Sequence, residues 1–277
     1  MATVAECIKR AQELRVVSDS ARLDIELLLG HVLKKDRTWL FTWPESLLSS
    51  EQSVQFDAFF KRRLNGEPVA HILGEKEFWS LPLFVDTSTL IPRPDTELLV
   101  ETVLELAGEK KKILDLGTGT GAIALALASE LPTADILAVD RSLAAVQLAQ
   151  RNRERLGFAN VVIRQSDWFL SVENTVFDII VSNPPYIEKS DLHLLQGDVV
   201  FEPVSALVAG DSGLADIGHI IKTAIDYLTP GGTLMLEHGW QQANEVQALF
   251  RQKGYQKIET RKDLGGNDRV TFALSPE

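Results

Sequence analysis

The stretch Ile113-Leu-Asp-Leu-Gly-Thr-Gly-Thr-Gly121 decides the fold class of this chain. Its first four residues are typical of a buried strand, and the apolar segment 122–129 that follows is typical of a helix. The glycines between them allow a sharp turn and let a ligand approach the backbone closely. The first N–H groups of the helix have no partner within the helix. This strand, turn and helix therefore predict a site for a nucleoside-containing ligand.

The same alternation continues along the chain. Short, nearly continuous apolar strands alternate with amphipathic helices, which predicts a parallel sheet covered by helices on both faces. Turn residues at 265–267 divide the last segment and predict an antiparallel hairpin at the sheet edge. The predicted strands are 113–116, 136–140, 161–163, 178–181 and 232–237, the helices 122–129, 143–156 and 214–228, and the hairpin 255–274. The fold class is therefore α/β, with a Rossmann-like sheet.

A different pattern precedes this region. Residues 1–75 show helical periodicity and predict a small helical bundle. Residues 76–93 predict a hairpin linker, in which 78–85 would pair with Thr89–Ile91. Residues 94–277 form the predicted α/β domain. The apolar stripe expected to face the core of the bundle consists of Leu23, Leu27, Leu28 and Val32.

Composition narrows the class of protein. With 277 residues, 45% of them hydrophobic, the chain is long enough for two domains with sizeable cores. The net charge is −11, of which residues 1–75 carry −1 and residues 76–277 carry −10. This balance disfavours stable nucleic-acid binding, which needs clustered Lys and Arg. The single cysteine, Cys7, excludes an intramolecular disulfide, the five histidines lack metal-ligand spacing, and no apolar run approaches the roughly 18 residues of a membrane span. We expect a soluble, cytoplasmic protein without a metal or a membrane partner.

The glycine turn Gly117–Gly121 favours one nucleoside ligand. A dinucleotide-binding turn prefers G-x-G-x-x-G, whereas this turn reads G-x-G-x-G after Asp115, which suits S-adenosylmethionine because that cofactor has no pyrophosphate. Asp140 ends the next predicted strand, 19 residues after Gly121, where a carboxylate accepts hydrogen bonds from ribose hydroxyls. After the third strand, Asp167 and Trp168 are placed to bind an adenine amino group and to pack on its ring.

The stretch Phe177-Asp-Ile-Ile-Val-Ser-Asn-Pro-Pro-Tyr186 predicts the second half of the site. A central strand delivers Asn183 to the crevice at the carboxyl ends of the strands. The side-chain carbonyl of Asn183 and the backbone carbonyl of Pro184 can accept both hydrogens of a planar –NH2 group, which Tyr186 can lie against. No His or Lys is an obvious base. The stretch therefore predicts methyl transfer onto nitrogen, catalysed mainly by positioning, which contributes about 7–11 kcal/mol at most.

These motifs together resemble the HemK/PrmC family of protein-(glutamine-N5) methyltransferases, which act on peptide chain release factors. Asn-Pro-Pro-Tyr alone also occurs in DNA adenine and ribosomal RNA N-methyltransferases, and Ile91-Pro-Arg-Pro-Asp-Thr-Glu97 narrows the likeness to the glutamine enzymes. Phe201-Glu-Pro203 and the helical N-terminal region extend it over nearly the whole chain. The resemblance implies a seven-stranded S-adenosylmethionine-dependent methyltransferase domain at 94–277 and a substrate-recognition role for 1–75.

The resemblance also implies the roles of single residues. Arg93, Glu97 and Glu202 either shape the pocket wall or form an ion network at a domain interface. The residues implied to bind S-adenosylmethionine are Gly117, Thr118, Gly119, Thr120, Gly121, Asp140, Trp168 and Asn183. The residues implied to hold the substrate, a glutamine in a Gly-Gly-Gln loop of a class-1 release factor, are Asn183, Pro184, Pro185 and Tyr186.

Three other functions remain open at the level of sequence. A sister enzyme that methylates a glutamine of a large-subunit ribosomal protein shares the motifs. A nucleic-acid amino methyltransferase shares Asn-Pro-Pro-Tyr but fits the acidic charge poorly. A non-catalytic protein that keeps the cofactor pocket as a sensor would not need Asn183–Tyr186 as an acceptor pocket.

Overall fold

The computed structural model describes residues 2–108, 111–173, 175–195, 197–210 and 213–277. The chain divides into two compact units, one made of 1–75 with 192–201 and the other of 76–191 with 202–277. Among the described residues, no helix is both long and apolar enough to cross a membrane.

The first unit is helical, as the periodicity of residues 1–75 predicts. The longest helices, α3 and α5, pack together around Leu28, Phe56 and Phe60, which are at most 2% exposed. Thr3 and Ser49 begin α1 and α5 with reciprocal capping boxes. The helices are α1 Val4–Lys9, α2 Ala11–Leu14, α3 Ala21–Leu33, α4 Arg37–Thr42, α5 Ser50–Leu64 and α6 Val69–Leu73.

Two expectations about the first unit were wrong. Leu23 and Leu27 do not face the core, since α3 buries Ile25 and Leu29 beside Leu28 instead. The segment 192–201, expected in the α/β domain, belongs to the helical unit. A long-range ion pair explains this placement, because Arg63, itself bonded to the buried Asp24, also reaches Asp198 at 3.4 Å.

The second unit contains the predicted sheet. Its described strands form one seven-stranded sheet in the order β5-β4-β3-β6-β7-β9-β8, parallel except for β9, which runs antiparallel to its neighbours β7 and β8. The reversed hairpin at the edge is thereby confirmed. The strands are β1 Glu75–Phe78, β2 Leu81–Phe84, β3 Lys112–Leu116, β4 Asp135–Asp140, β5 Val161–Gln165, β6 Phe177–Ser182, β7 Leu228–Glu237, β8 Gln256–Lys262 and β9 Asp268–Leu274.

Helices cover both faces of this sheet. Side chains of alternating strand positions enter two separate cores, so that Ile113 packs on one face and Leu114 on the other. The first core contains residues of α7, α8 and α9, and the second contains residues of α10 and α11. The helices are α7 Glu97–Leu106, α8 Ala122–Glu130, α9 Leu143–Leu156, α10 Ala215–Ala224 and α11 Ala243–Gln252. Short 3-10 turns occupy Pro94–Thr96, Leu192–Leu195, Gly197–Phe201, Val204–Ala206 and Ile225–Tyr227.

The expected partner of the 78–85 segment was wrong. Thr89–Ile91 does not form a strand, and β1 pairs with β2 in a separate two-stranded sheet. Trp79 and Ser80 have φ angles of 53° and 57°, which makes them the two central residues of a tight hairpin turn. Two-residue hairpin turns with positive φ usually contain Asn or Gly, and this one contains Trp and Ser. The sequence therefore did not predict the turn.

Candidate active site

The glycine turn leaves β3 at Gly117 and enters α8 after Gly121. Gly117, Gly119 and Gly121 have φ angles of 73°, 56° and 85°, in the left-handed region that favours glycine. A Cβ on Gly121 would lie 3.0 Å from Leu125 Cδ1 and 3.3 Å from Ala149 Cβ, so this turn packs tightly on its own helix and on α9. The N–H groups of Gly117 and Thr118 donate to the Val139 carbonyl at 2.9 Å, and that of Gly121 donates to the Thr118 carbonyl at 2.8 Å, so the turn is held rigid where the sequence predicts a ligand.

Asp140 fixes the turn from the neighbouring strand. Its Oδ2 accepts the Gly119 N–H at 3.0 Å, and its Oδ1 accepts the Ser142 N–H at 2.8 Å. Both carboxylate oxygens therefore have a backbone donor, and their remaining lone pairs face the cavity that Asp140 lines.

A second carboxyl lies beneath the turn. Asp115 is completely buried, and its Oδ2 accepts the hydroxyl of Thr118 at 2.6 Å, whereas its Oδ1 has no hydrogen-bond partner within the described structure. Burial raises the pKa of Asp115 to about 7, the nearby Asp140 adds to the rise, and the Thr118 hydroxyl opposes it. A buried carboxyl oxygen without a partner, beneath the turn residue Thr118, favours a positive charge on a ligand that binds at the turn.

Trp168, in the loop after β5, packs against the glycine turn. The residue has a φ of 48°, and its backbone carbonyl accepts the Ser166 hydroxyl at 2.8 Å. A Cβ on Gly117 would lie 3.5 Å from the Trp168 ring, so the indole packs directly over this glycine. A larger residue at 117 would displace the ring.

The acceptor stretch lies next to the turn because of strand pairing. Leu116 at the end of β3 is in register with Ser182 at the end of β6, and the Ser182 hydroxyl donates to the Leu116 carbonyl at 2.6 Å. The next residues, Gly117 and Asn183, therefore leave the sheet side by side. Asn183 donates its Nδ2 to the hydroxyl of Thr96 at 3.1 Å, which leaves Oδ1 as its acceptor.

One cavity in the second unit joins these elements, and most of the predicted site residues line it. Gly121, Pro184 and Tyr186 are not among the described lining residues, because Gly121 faces α9 and Pro184 is buried. The predicted residues that line the cavity are Gly117, Thr118, Gly119, Thr120, Asp140, Trp168, Asn183 and Pro185.

Tyr186 turns away from this cavity. Its hydroxyl donates to Glu237 Oε1 at 3.4 Å, and its carbonyl accepts Nε2 of Gln242 at 3.1 Å. Burial and the adjacent Glu237 carboxyl raise the pKa of Tyr186 far above its usual value, so its hydroxyl stays protonated and does not act as a base.

Arg93 forms part of the wall, whereas Glu202 and Glu97 are not among the lining residues. Arg93 lines the cavity and forms an ion pair with Glu202 Oε2 at 2.7 Å, and Glu202 Oε1 accepts the Ile91 N–H at 2.9 Å. Glu97 instead accepts the Trp79 N–H at 2.9 Å and so fastens the hairpin turn. Across the described part of the chain, no group of three or more His, Cys, Asp or Glu side chains could hold a metal ion.

The sequence reasoning missed two residues behind the site. Thr96 binds Asn183, and the buried Glu237 binds Tyr186. Thr96 stood within the family segment Ile91–Glu97, and a charged residue ending the apolar strand β7 marked Glu237. Neither of these sequence features predicts which residue Thr96 or Glu237 binds.

Family comparisons cover both parts of the chain. Residues 6–74 match the PrmC N-terminal domain, and residues 93–210 match the methyltransferase small domain. The release factor glutamine methyltransferase of Shewanella oneidensis is 55% identical over 271 residues, which are 97% of this chain and 95% of that relative. The Escherichia coli enzyme of the same name is 56% identical over 256 residues, 92% of each chain.

Solved structures share the fold. A methyltransferase from Pyrococcus furiosus matches 80% of this chain and 100% of its own with a TM-score of 0.57 at 19% identity. The Thermus thermophilus 16S rRNA N2 G1207 methyltransferase, solved with AdoMet and guanosine, matches 73% of this chain and 49% of its own with a TM-score of 0.52 at 24% identity. Together with the observed strand order, these likenesses confirm the predicted seven-stranded methyltransferase fold.

Proposed function

Since the chain belongs to the release factor glutamine methyltransferase family, we propose that its site methylates the side-chain amide nitrogen of the glutamine in the Gly-Gly-Gln loop of a class-1 release factor. The chain is an S-adenosylmethionine-dependent protein-(glutamine-N5) methyltransferase, as the resemblance to the HemK/PrmC family implied. The observation that carries the proposal is the side-by-side exit of Gly117 and Asn183 from paired strands.

The cofactor side of the site fits S-adenosylmethionine. The rigid turn lets a ligand approach its backbone closely, Asp140 offers carboxylate lone pairs for ribose hydroxyls, and the buried Asp115 carboxyl beneath the turn suits a positive charge. When bound, S-adenosylmethionine supplies an electrophilic methyl group on a sulfonium. The residues assigned to this side are Gly117, Thr118, Gly119, Thr120, Gly121, Asp140, Trp168 and Asn183.

The acceptor side holds the glutamine amide. Nδ2 of Asn183 donates to Thr96, so Oδ1 is the end of this amide that can accept from a substrate, and the Pro184 carbonyl has no N–H of its own residue beside it. Two such acceptors bind both hydrogens of the amide and orient its nitrogen lone pair toward the methyl group. Pro185 lines the cavity and, with Pro184, keeps the loop rigid, whereas Tyr186 supports the loop from the buried side.

Catalysis on this account depends on orientation. No protonatable base lies beside Asn183 among the side chains described, and Tyr186 keeps its proton. Correct alignment of the two reactants contributes about 7–11 kcal/mol at most. Carbonyl acceptors that bind more strongly as the nitrogen becomes positive lower the barrier further. The proton lost from the nitrogen passes to water.

The helical domain, residues 1–75, is assigned to recognition of the release factor. Residues 1–75 carry a net charge of −1, whereas residues 76–277 carry −10. The nearly neutral charge of the helical domain supports the binding of a protein partner to it. We place the reaction in the cytoplasm, where release factors act.

Methyl-labelled S-adenosylmethionine tests the proposal. The enzyme is incubated with purified release factor and with a matched factor whose loop glutamine is replaced by asparagine, and the label is mapped by mass spectrometry. We expect label on the loop glutamine and none on the altered factor. Label on a ribosomal protein or on RNA, with none on the release factor, would contradict the proposed substrate.

A further inference from the structure

The hydroxyl of Thr96 contacts the acceptor stretch directly. Thr96 ends the 3-10 turn Pro94–Thr96 and has helical backbone angles, φ −69° and ψ −18°, so the turn runs straight into α7 and its side chain does not cap the helix. Thr96 is 5% exposed, and its hydroxyl accepts Nδ2 of Asn183 at 3.1 Å. The buried hydroxyl is therefore available to orient the Asn183 amide.

The hydroxyl of Thr96 has one hydrogen, which needs an acceptor of its own. Glu237, 1% exposed at the end of β7, is the candidate, because its Oε2 is buried without a hydrogen-bond partner in the described structure and the Thr96 hydroxyl acts to lower the pKa of this carboxyl. Glu237 Oε1 accepts the Tyr186 hydroxyl at 3.4 Å. A buried carboxylate with spare acceptor capacity thus lies behind Thr96.

We propose that Thr96 and Glu237 are positioning residues that set which end of the Asn183 amide faces the substrate. An ionised carboxylate only accepts, so Thr96 donates to Glu237 and must accept from Asn183. The Asn183 carbonyl oxygen then faces the cavity, where a glutamine –NH2 group needs an acceptor. With the amide reversed, two –NH2 groups would face each other. This inference rests on the proposed function, because the direction matters only for an amide substrate.

The charge state of Glu237 decides the direction of this chain of hydrogen bonds. Burial raises the pKa of Glu237 to about 7, and the groups that face it act in opposite directions. Arg269 on β9 and the Tyr186 hydroxyl lower the pKa, whereas Asp95 raises it. His238, the next residue in the chain, stays neutral because burial lowers its pKa. A protonated Glu237 can donate to Thr96 and so permits the reversed amide.

Three substitutions test this inference in the full-length enzyme. Thr96→Val keeps the shape and removes the hydroxyl, Thr96→Ser restores it, and Glu237→Gln keeps the shape and removes the charge. Thr102→Val is the matched control, since Thr102 is 2% exposed on α7 and its hydroxyl bonds only to the Leu98 carbonyl at 2.7 Å. Each variant is measured for kcat and KM with release factor, for its Kd with S-adenosylmethionine, and for its melting temperature.

We expect Thr96→Val to lower kcat/KM for the release factor about 10- to 100-fold through misorientation of Asn183. Thr96→Ser restores most of this loss, and Thr102→Val has no effect. At saturating S-adenosylmethionine, which removes the effect of pH on cofactor binding, the unaltered enzyme loses activity as the pH falls through about 7, where Glu237 becomes protonated. Glu237→Gln lowers kcat/KM and removes this pH dependence, while the Kd for S-adenosylmethionine is unchanged.

Two results would overturn the inference. One is a fully active Thr96→Val enzyme, and the other is a Glu237→Gln enzyme that keeps the same acid limb. A Thr96→Val enzyme that folds poorly leaves Glu237→Gln and its pH profile to decide. Failure of the unaltered enzyme to label the release factor would contradict the proposed function itself, and the inference with it.

Discussion

The active site has two halves that are held in different ways. We assign Asp115, Gly117–Gly121, Asp140 and Trp168 to a donor half, and Asn183–Tyr186 with Thr96 and Glu237 to an acceptor half. Hydrogen bonds within the donor half join residues 3 and 21 positions apart, one of them through a backbone N–H. Those within the acceptor half join side chains 87 and 51 positions apart. A local backbone turn forms the first half, and tertiary packing orients the second.

This difference separates binding from chemistry. A rigid glycine turn and a carboxylate suit a cofactor that is the same in every turnover. The substrate amide must be held in one orientation, and side chains from three separate segments fix it. Changes in the donor half should therefore weaken cofactor binding, and changes in the acceptor half should slow transfer.

The largest expected effect comes from the acceptor half. Asn183→Ala removes a carbonyl that holds the reacting amide, so we expect the transfer rate to fall about 1000-fold. S-adenosylmethionine affinity, measured by calorimetry, should fall much less than the transfer rate, since Asn183 is one of eight residues assigned to the cofactor, and the melting temperature should change little. Full activity in this variant would contradict the acceptor assignment.

The matching change in the donor half is Asp140→Asn. Loss of the charged acceptor for ribose hydroxyls should weaken S-adenosylmethionine binding about 10- to 100-fold. The KM for release factor at saturating cofactor should stay the same. Asp135→Asn, at the exposed start of the same strand, serves as the control and should bind the cofactor normally. An unchanged Kd for S-adenosylmethionine in Asp140→Asn would contradict the proposal that Asp140 binds the ribose hydroxyls.

Alanine substitutions at two glycines of the turn should destabilise the protein by different amounts. Both have positive φ, but a Cβ on Gly121 would press on Leu125 and Ala149, whereas one on Gly119 would meet only Thr89 Cβ at 3.9 Å. We expect Gly121→Ala to cost about 2–3 kcal/mol of unfolding free energy and Gly119→Ala about 1 kcal/mol. Chemical denaturation measures both. Equal losses would show that packing against α9 does not constrain the turn.

A smaller effect concerns pH and the donor half. Burial raises the pKa of Asp115 to about 7, so this carboxyl is neutral below that pH and ionised above it. A cationic cofactor favours the ionised form, and its affinity should rise several-fold between about pH 6 and about pH 7.5. Calorimetry across this range checks the sign. In Asp115→Asn, the affinity for S-adenosylmethionine should no longer depend on pH over this range. If the affinity still rises as steeply, a group other than Asp115 causes the pH dependence.

The sequence predicted the sheet, and it grouped the residues that we propose for the donor half, for a physical reason. Glycines with positive φ, an acidic residue at a strand end and apolar strands leave patterns in consecutive residues. The paired ends of β3 and β6 then bring Gly117 and Asn183 together without further information.

The sequence did not predict interactions between distant segments. Thr96 and Glu237 were missed because their use depends on packing between the turn before α7 and the end of β7. The orientation of Tyr186 differs from the expected contact with the substrate for the same reason, since its hydroxyl is drawn to a buried carboxyl. The segment 192–201 and the Trp79–Ser80 turn were also misplaced, because a distant ion pair and an unusual left-handed turn decide them.

The independence of the two halves is tested most directly by a double-mutant cycle of Asp140→Asn and Thr96→Val. The rate of methyl transfer is measured in the four enzymes at cofactor and release factor concentrations well below both KM values. If the halves act separately, the two fold-reductions should multiply to within about a factor of two. A double variant no slower than the slower single variant would contradict the account.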